Sequence, residues 1–320
     1  MSIMGSAIII LLMFIRVAMK SKIPKKFIYP LWAIVLLRLL IPISVSSKWS
    51  MINLLNLSKV KAIRLMKGQL PQLDDERIIQ WSYTNTIQSA DRYFPIEHKS
   101  VFADNFFGVA GYVWLLGLII CLLCVMIVYG MTLYRLRTGI RHKSYEARCR
   151  TSMKQLHMKG NIPVIQVEFM KMPVVIGFFK PRIIIPRGIS EDEIDYILLH
   201  ELSHIRRKDP LWKLLSILSV CVHWFNPLVW LFLYTFDLDM EMACDEKVLG
   251  LLPKEHFKQY AMTLAACARK QQVAFTAFGS TAVKERVVNI TKYKRLPLVM
   301  AIVMTVLCLV LSIVLVTNPM

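Results

Sequence analysis

Two histidines four positions apart with a glutamate after the first, His200-Glu201-Leu202-Ser203-His204, are the residues of this chain best suited to chemistry. On a helix, positions i and i+4 project from one face, so both imidazoles can give a ring nitrogen to one Zn²⁺. Glu201, beside that metal edge, can take a proton from water and so prepare attack on a peptide carbonyl. Five residues also fit a plain amphipathic helix with solvated His and Glu, so the flanking sequence has to decide.

A catalytic zinc needs a third protein ligand and an open position. Glu241 heads Glu241-Met242-Ala243-Cys244-Asp245 on a second expected helix, and Asp245, one turn later, can hydrogen-bond a ligand histidine. This gives a site of the His, His, Glu type: His200, His204 and Glu241 on the metal, Glu201 as base, Asp245 in support. Cys244 is a competing donor, placed behind Glu241. His223 can either reach the site and stabilise an oxyanion or be a satisfied structural histidine.

The elements that must position these groups are readable nearby. Ser190 with Glu193 forms a capping box, and Glu191, Asp192 and Glu193 put negative charge where the helix dipole favours it. Arg206, Arg207 and Lys208 approach a stop at Pro210, so the helix is expected over 191–208. Upstream, Ile162–Val167, Val174–Phe179 and Arg182–Ile185 read as short strands punctuated by Pro173, Gly177, Pro181 and Pro186. A strand there can hold a peptide substrate by strand addition, or simply pack a core. The apolar run Leu214–Phe236 is long enough to span a bilayer, but one crossing would put His200 and Glu241 on opposite sides. Asn226-Pro227 offers a break, so two helices are expected, either buried in the domain or dipping into the membrane and returning.

The chain has 320 residues, 56% of them hydrophobic, and a mean hydropathy of +0.49, a membrane-protein profile. Four spans are expected, at 3–19, 27–46, 109–133 and 296–316, with Arg38 inside the second facing the bundle or snorkelling. Lys20, Lys22, Lys25 and Lys26, then Arg135, Arg137, Arg141 and Lys143, then Lys292, Lys294 and Arg295 flank those spans and mark cytoplasmic segments. Both termini are then extracellular. The expected layout is two spans in 1–46, an outer loop 47–108, the third span 109–133, a cytoplasmic catalytic domain 134–295, the fourth span 296–316 and an outer stub 317–320. Basic residues follow the first apolar run instead of preceding it, so an uncleaved anchor is expected in place of a signal peptide. The net charge of +19 goes to topology and anionic lipid, since no nucleic-acid-binding signature accompanies it. Cys121, Cys124 and Cys308 fall in spans and Cys149, Cys221, Cys244 and Cys267 in the cytoplasmic domain, which excludes a disulfide framework.

HELSHIRRKDPLW (200–212), HWFNPLVW (223–230) and DMEMACDEKVL (239–249), preceded by GFFKPRIIIP (177–186), resemble the BlaR/MecR family of membrane zinc metallopeptidases. Known members are bacterial signal transducers that respond to β-lactams and bring about proteolytic removal of a cytosolic transcriptional repressor. The resemblance implies a mainly α membrane protein, four transmembrane helices with a cytoplasmic, gluzincin-like α+β zinc metallopeptidase domain. It implies Zn²⁺ on His200, His204 and Glu241, with Glu201 as general base and Asp245 behind them. The best-known members carry a penicillin-binding sensor after the last span, acylated at a Ser-x-x-Lys serine. Here residues 317–320 alone follow the last apolar run, and Ser58 to Lys61 sits in a short loop. Direct β-lactam sensing is therefore not expected, and a separate sensor protein is a possible partner. Trp49, Trp81, Tyr83, Tyr93 and Phe94 of the outer loop are interfacial anchors or contacts for such a partner.

The expected function is cleavage of a cytoplasmic protein, a transcriptional repressor or the chain itself, in response to an envelope signal at the plasma membrane. The alternatives are a non-proteolytic signalling or scaffold subunit and a broad-substrate membrane quality-control protease. Family members cleave themselves before the last span, and Phe275–Thr281 has the mixed small and polar composition of a loop. Mass spectrometry of membranes under inducing conditions should find the chain cut there; intact chain throughout would count against self-cleavage.

Overall fold

The computed structural model describes residues 2–18, 24–41, 101–271 and 278–293, with positions 302, 303 and 306. The expected outer loop up to residue 100, the end of the second span, nearly all of 296–316 and the stub 317–320 lie outside the described residues. Two hydrophobic cores share one long helix, and the site lies where they meet.

The first core is built from α1 (Ser2–Ala18), α2 (Lys25–Leu40), α6 (Asp209–Val222) and the first part of α7 (Pro227–Leu251). Ile9, Trp32, Val35, Leu39, Val229 and Phe232 are fully buried in it. A third apolar helix, α3 (Val101–Arg135), is long enough to cross a membrane and leaves most of its described side chains exposed. It contacts α6 and, at Gly117, the Trp224 ring just beyond that helix, where a Cβ would come within 2.3 Å. The Trp114 indole donates to the Val222 carbonyl at 2.8 Å beside it.

The second core joins a four-stranded sheet to helices. The strands are β1 (Ile140–Arg141), β2 (Val164–Val167), β3 (Val174–Ile176) and β4 (Arg182–Pro186), in the order β1-β2-β4-β3. β2 and β4 are parallel, Val164 opposite Ile183; β1 and β3 are antiparallel edges. Three strands fall where the sequence expects them, while β1 is too short to carry a pattern. Gly177 ends β3 with φ +98, a conformation a side chain resists. Packed with the sheet are α4 (Lys143–Gln155), α5 (Ile194–Arg207), α8 (Phe257–Gln271) and α9 (Phe278–Thr291).

Helix α5 buries Ile194, Ile197, Leu198 and Leu202, the i, i+3, i+4, i+8 stripe of a helix facing a core. It starts three residues later than the sequence suggests. Ser190 does not cap it; Glu193 is the N-cap without a side-chain bond, and 190–193 form a turn closed by Glu193 N–H to the Ser190 carbonyl at 3.0 Å. The acidic residues have another partner: Arg148 on α4 forks Asp195 at 2.9 and 3.0 Å and also binds Glu191. At its other end Lys208 turns left-handed (φ 60), and its N–H closes on His204 and Ile205. Pro210 does not simply stop α5; it lies in the first turn of α6, where a missing N–H costs nothing.

The apolar run 214–236 is broken between α6 and α7, as Asn226-Pro227 suggests. The Asn226 side chain accepts from Leu228 N–H at 3.0 Å and donates to the Ser2 and Ser6 hydroxyls at 2.8 Å. The fold-back returns α7 toward α5. Phe278–Thr281, expected in a loop, belongs to α9, while 272–277 lie outside the described residues.

The end of the first core beside the site is fastened by charge. Asp239 on α7 is fully buried, accepts from the Arg16 guanidinium at 3.0 Å and from the Trp32 indole at 3.0 Å, and has Lys25 Nζ at 3.6 Å. Removing one side of a buried ion pair leaves the other uncompensated, so Asp239→Ala should cost about 3–5 kcal/mol of stability, read by unfolding of the purified protein in detergent.

Candidate active site

Helix α5 presents His200, Glu201 and His204, and α7 presents Glu241, Cys244 and Asp245; His200, His204 and Glu241 face one point between the two helices. His200 Nε2 and His204 Nε2 are 3.1 Å apart. Glu241 Oε2 lies 3.4 Å from the first and Oε1 3.5 Å from the second. Tetrahedral zinc with bonds of about 2.0–2.1 Å holds its ligand atoms about 3.3 Å apart, so these three donors fit such an ion. His200, His204 and Cys244 also form a group whose ligand atoms all lie within 4.8 Å of one another. Cys244 Sγ, however, is 3.5 Å from the His200 carbonyl, to which it donates.

Each imidazole is oriented from behind. Tyr260 on α8 donates its hydroxyl to Asp245 Oδ1 at 2.7 Å and is 2.8 Å from His200 Nδ1. A hydroxyl proton committed to Asp245 leaves the Tyr260 oxygen as an acceptor, so Nδ1 carries a proton and Nε2 is the nitrogen left for a metal once the ring is neutral. His204 Nδ1 likewise bonds Asp209 Oδ2 at 2.7 Å. Asp245 and Asp209 are both buried. Arg286 on α9 forks Asp245 through Nε at 2.8 Å and Nη2 at 2.9 Å, and its Nη1 is 3.1 Å from Glu241 Oε2.

Desolvation opposes charge here, and neighbours decide the outcome. Burial pushes the Glu201 carboxyl up, and the pull of both imidazoles does not cancel it. Burial would raise Glu241 too, but Arg286 and His204 outweigh it and hold that carboxyl well below the usual range. Burial would lower His200, but Cys244 and Glu241 beside it carry the imidazole up to about 10.

The group opens into a cavity of about 840 Å³ lined by His200, Glu201, His204, Glu241 and Arg286, with residues 173–178 along one wall. Strand β3, on that wall, is terminal in the sheet order.

The structure thus brings together His200, Glu201, His204, Glu241 and Asp245. It separates His223 from them: that ring caps the far end of α6, a helix of 14 residues and so about 21 Å long, and its Nε2 bonds the Leu39 carbonyl at 3.0 Å. His223 is thus a satisfied structural histidine and not an oxyanion group. Asp245 supports His200 mainly through Tyr260, its own oxygen standing 3.4 Å from Nδ1. Sequence reading missed Asp209, Tyr260 and Arg286. Asp209 had a signal, a carboxylate just past the second histidine that the Lys208 turn swings back. Tyr260 and Arg286 had none.

The family profile described as BlaR1 peptidase M56 matches residues 1–292. The chain belongs to that family. Among curated proteins, this M56 chain is 30% identical over 221 residues to the regulatory protein BlaR1 of Bacillus licheniformis, covering 65% of this chain and 37% of that protein. It is 28% identical over 205 residues to the methicillin resistance mecR1 protein of Staphylococcus aureus, covering 58% and 34%. With BlaR1 of Staphylococcus aureus the identity is 24% over 268 residues, 80% of this chain and 43% of the relative. The M56 chain thus matches well under half the length of these relatives. The family is one of membrane-associated metallopeptidases and the described fold is mostly helical, with one helix long and apolar enough to cross a membrane.

Tyr260 is the hydrogen-bond partner of the buried His200 Nδ1, so Tyr260→Phe strands that atom, while Asp245 Oδ1 keeps Arg286 Nη2 at 2.9 Å. The loss should be about 1–3 kcal/mol, measured by thermal unfolding against wild type.

Proposed function

We propose that this chain is an integral-membrane zinc endopeptidase of the antirepressor type, hydrolysing peptide bonds in a cytoplasmic protein when an envelope signal reaches its membrane helices. The observation that carries the reading is the convergence of His200, His204 and Glu241 at ligand spacing, with Glu201 on the same cavity. The substrate is a transcriptional repressor, and the chain itself is the second. The curated relatives are described as a regulatory protein and a methicillin resistance protein, which supports a signalling role over general protein turnover.

His200, His204 and Glu241 would hold the zinc ion, which supplies Lewis acidity and brings the pKa of bound water near 7. Cys244, donating to the His200 carbonyl, would stand outside that ligand set. Glu201, on the same cavity, would accept a proton from the attacking water and give it to the leaving amine. The edge of β3 offers main-chain donors and acceptors to an extended peptide across the cavity.

Four spans, a cytoplasmic domain over 134–295 and extracellular termini remain the proposed topology. Contacts at the two ends of these helices support it. Arg16 and Lys25, at the basic first connection, meet Asp239, two residues before Glu241, which favours the site on the positive-inside face. At the opposite ends of the same helices, Ser2 and Ser6 meet Asn226, and Leu39 meets His223. The α6–α7 hairpin then dips beside the spans and returns without crossing.

The test is zinc content and cleavage by the purified chain in detergent or nanodiscs, wild type against Glu201→Gln, with the chain itself and any repressor encoded nearby as substrates. About one zinc per chain in both, with cleavage reduced at least about 100-fold in the variant, is expected. Absence of zinc in wild type would overturn the reading in favour of a scaffold.

A further inference from the structure

The three ligand atoms do not hold themselves in place. A glutamate side chain has three rotatable torsions, and Glu241 is a third exposed toward the cavity. Apart from the two imidazoles, the cation within 4 Å of its carboxylate among the described residues is Arg286, at 3.1 Å. Arg286 is itself fixed independently of Glu241. Its planar guanidinium forks the fully buried Asp245, at 2.8 and 2.9 Å, and Asp245 is one turn beyond Glu241 on the same helix. The helix that carries it is fastened on either side of it, by Arg16 Nη2 to Glu285 at 3.4 Å and by Asn289 Nδ2 to Glu246 Oε1 at 3.2 Å.

We propose that Arg286 is a positioning residue for the metal site: anchored on Asp245, it fixes the Glu241 carboxylate at ligand distance from His200 and His204. The inference rests on the zinc reading above and deepens it. Position and charge make opposite demands, which makes the idea testable. A guanidinium beside a dication repels it, so charge alone says that removing Arg286 tightens metal binding. Loss of an outer partner that orients a ligand weakens metal binding by about 10–100-fold. The geometry favours the second effect, because the same guanidinium sets Asp245, which sets Tyr260 and through it His200.

The experiment uses the full chain in detergent: wild type, Arg286→Gln and Arg286→Lys. Zinc affinity is measured by competition with a chromophoric chelator, and the ligand field by the visible spectrum of the Co²⁺-loaded protein. Arg286→Gln should bind zinc about 10–100-fold more weakly with a shifted cobalt spectrum. Arg286→Lys keeps a charge without the fork and should fall between the two. Binding by Arg286→Gln as tight as wild type or tighter, with an unchanged spectrum, overturns the inference. If Arg286→Gln does not purify folded, Arg286→Lys is judged by the same criterion. No zinc in wild type sinks the metallopeptidase reading itself, a result distinct from zinc bound equally by all three.

Discussion

A carboxylate taken out of water must be met by cations or hydrogen-bond donors, and α7 carries four of them within eight residues: Asp239, Glu241, Asp245 and Glu246. All are met from segments distant in the sequence. Asp239 takes Arg16 and Trp32 from α1 and α2, and Glu246 takes the backbone N–H groups of Lys25 and Lys26 and the Asn289 amide. Asp245 takes Arg286 and Tyr260, and Glu241 takes Arg286 and the imidazoles. The packing of α1, α2, α8 and α9 around α7 is in large part the solution to that electrostatic requirement.

The same rule operates one layer out. Asp209, which orients His204, also accepts the Tyr29 hydroxyl from α2 at 3.0 Å, and Arg207 stacks its guanidinium over the Tyr29 ring at 4.5 Å. The helix that the sequence assigns to the second span therefore touches the partner of a site histidine directly. Both imidazoles have their Nδ1 committed, so their Nε2 atoms point to one place without help from the cavity side.

Period and spacing in the sequence reveal what lies along a single helix. The i, i+4 pairs His200/His204 and Glu241/Asp245 are visible because a helix repeats its face, and the Asn226-Pro227 break is visible because proline cannot continue the preceding turn. What depends on a distant segment is not visible. The start of α5 shifts because Arg148, from α4, claims Glu191 and Asp195. Tyr260 and Arg286 reach Asp245 from helices whose sequences carry no mark of that contact. His223 misleads for the converse reason: it is near the site motifs in sequence, but a straight helix carries it to the far end of the first core.

Because α7 is unbroken from Pro227 to Leu251, it is a lever with its fulcrum at the hairpin tip. From Pro227 to Glu241 the helix rises about 21 Å. Tilting it by about 3° around the Asn226 contacts with Ser2 and Ser6 displaces the Glu241 carboxylate by about 1 Å, a misplacement that can cost an active site about two orders of magnitude in rate. The bonds from Arg16 and Trp32 to Asp239, two residues before Glu241, are what hold the moving end of that lever still.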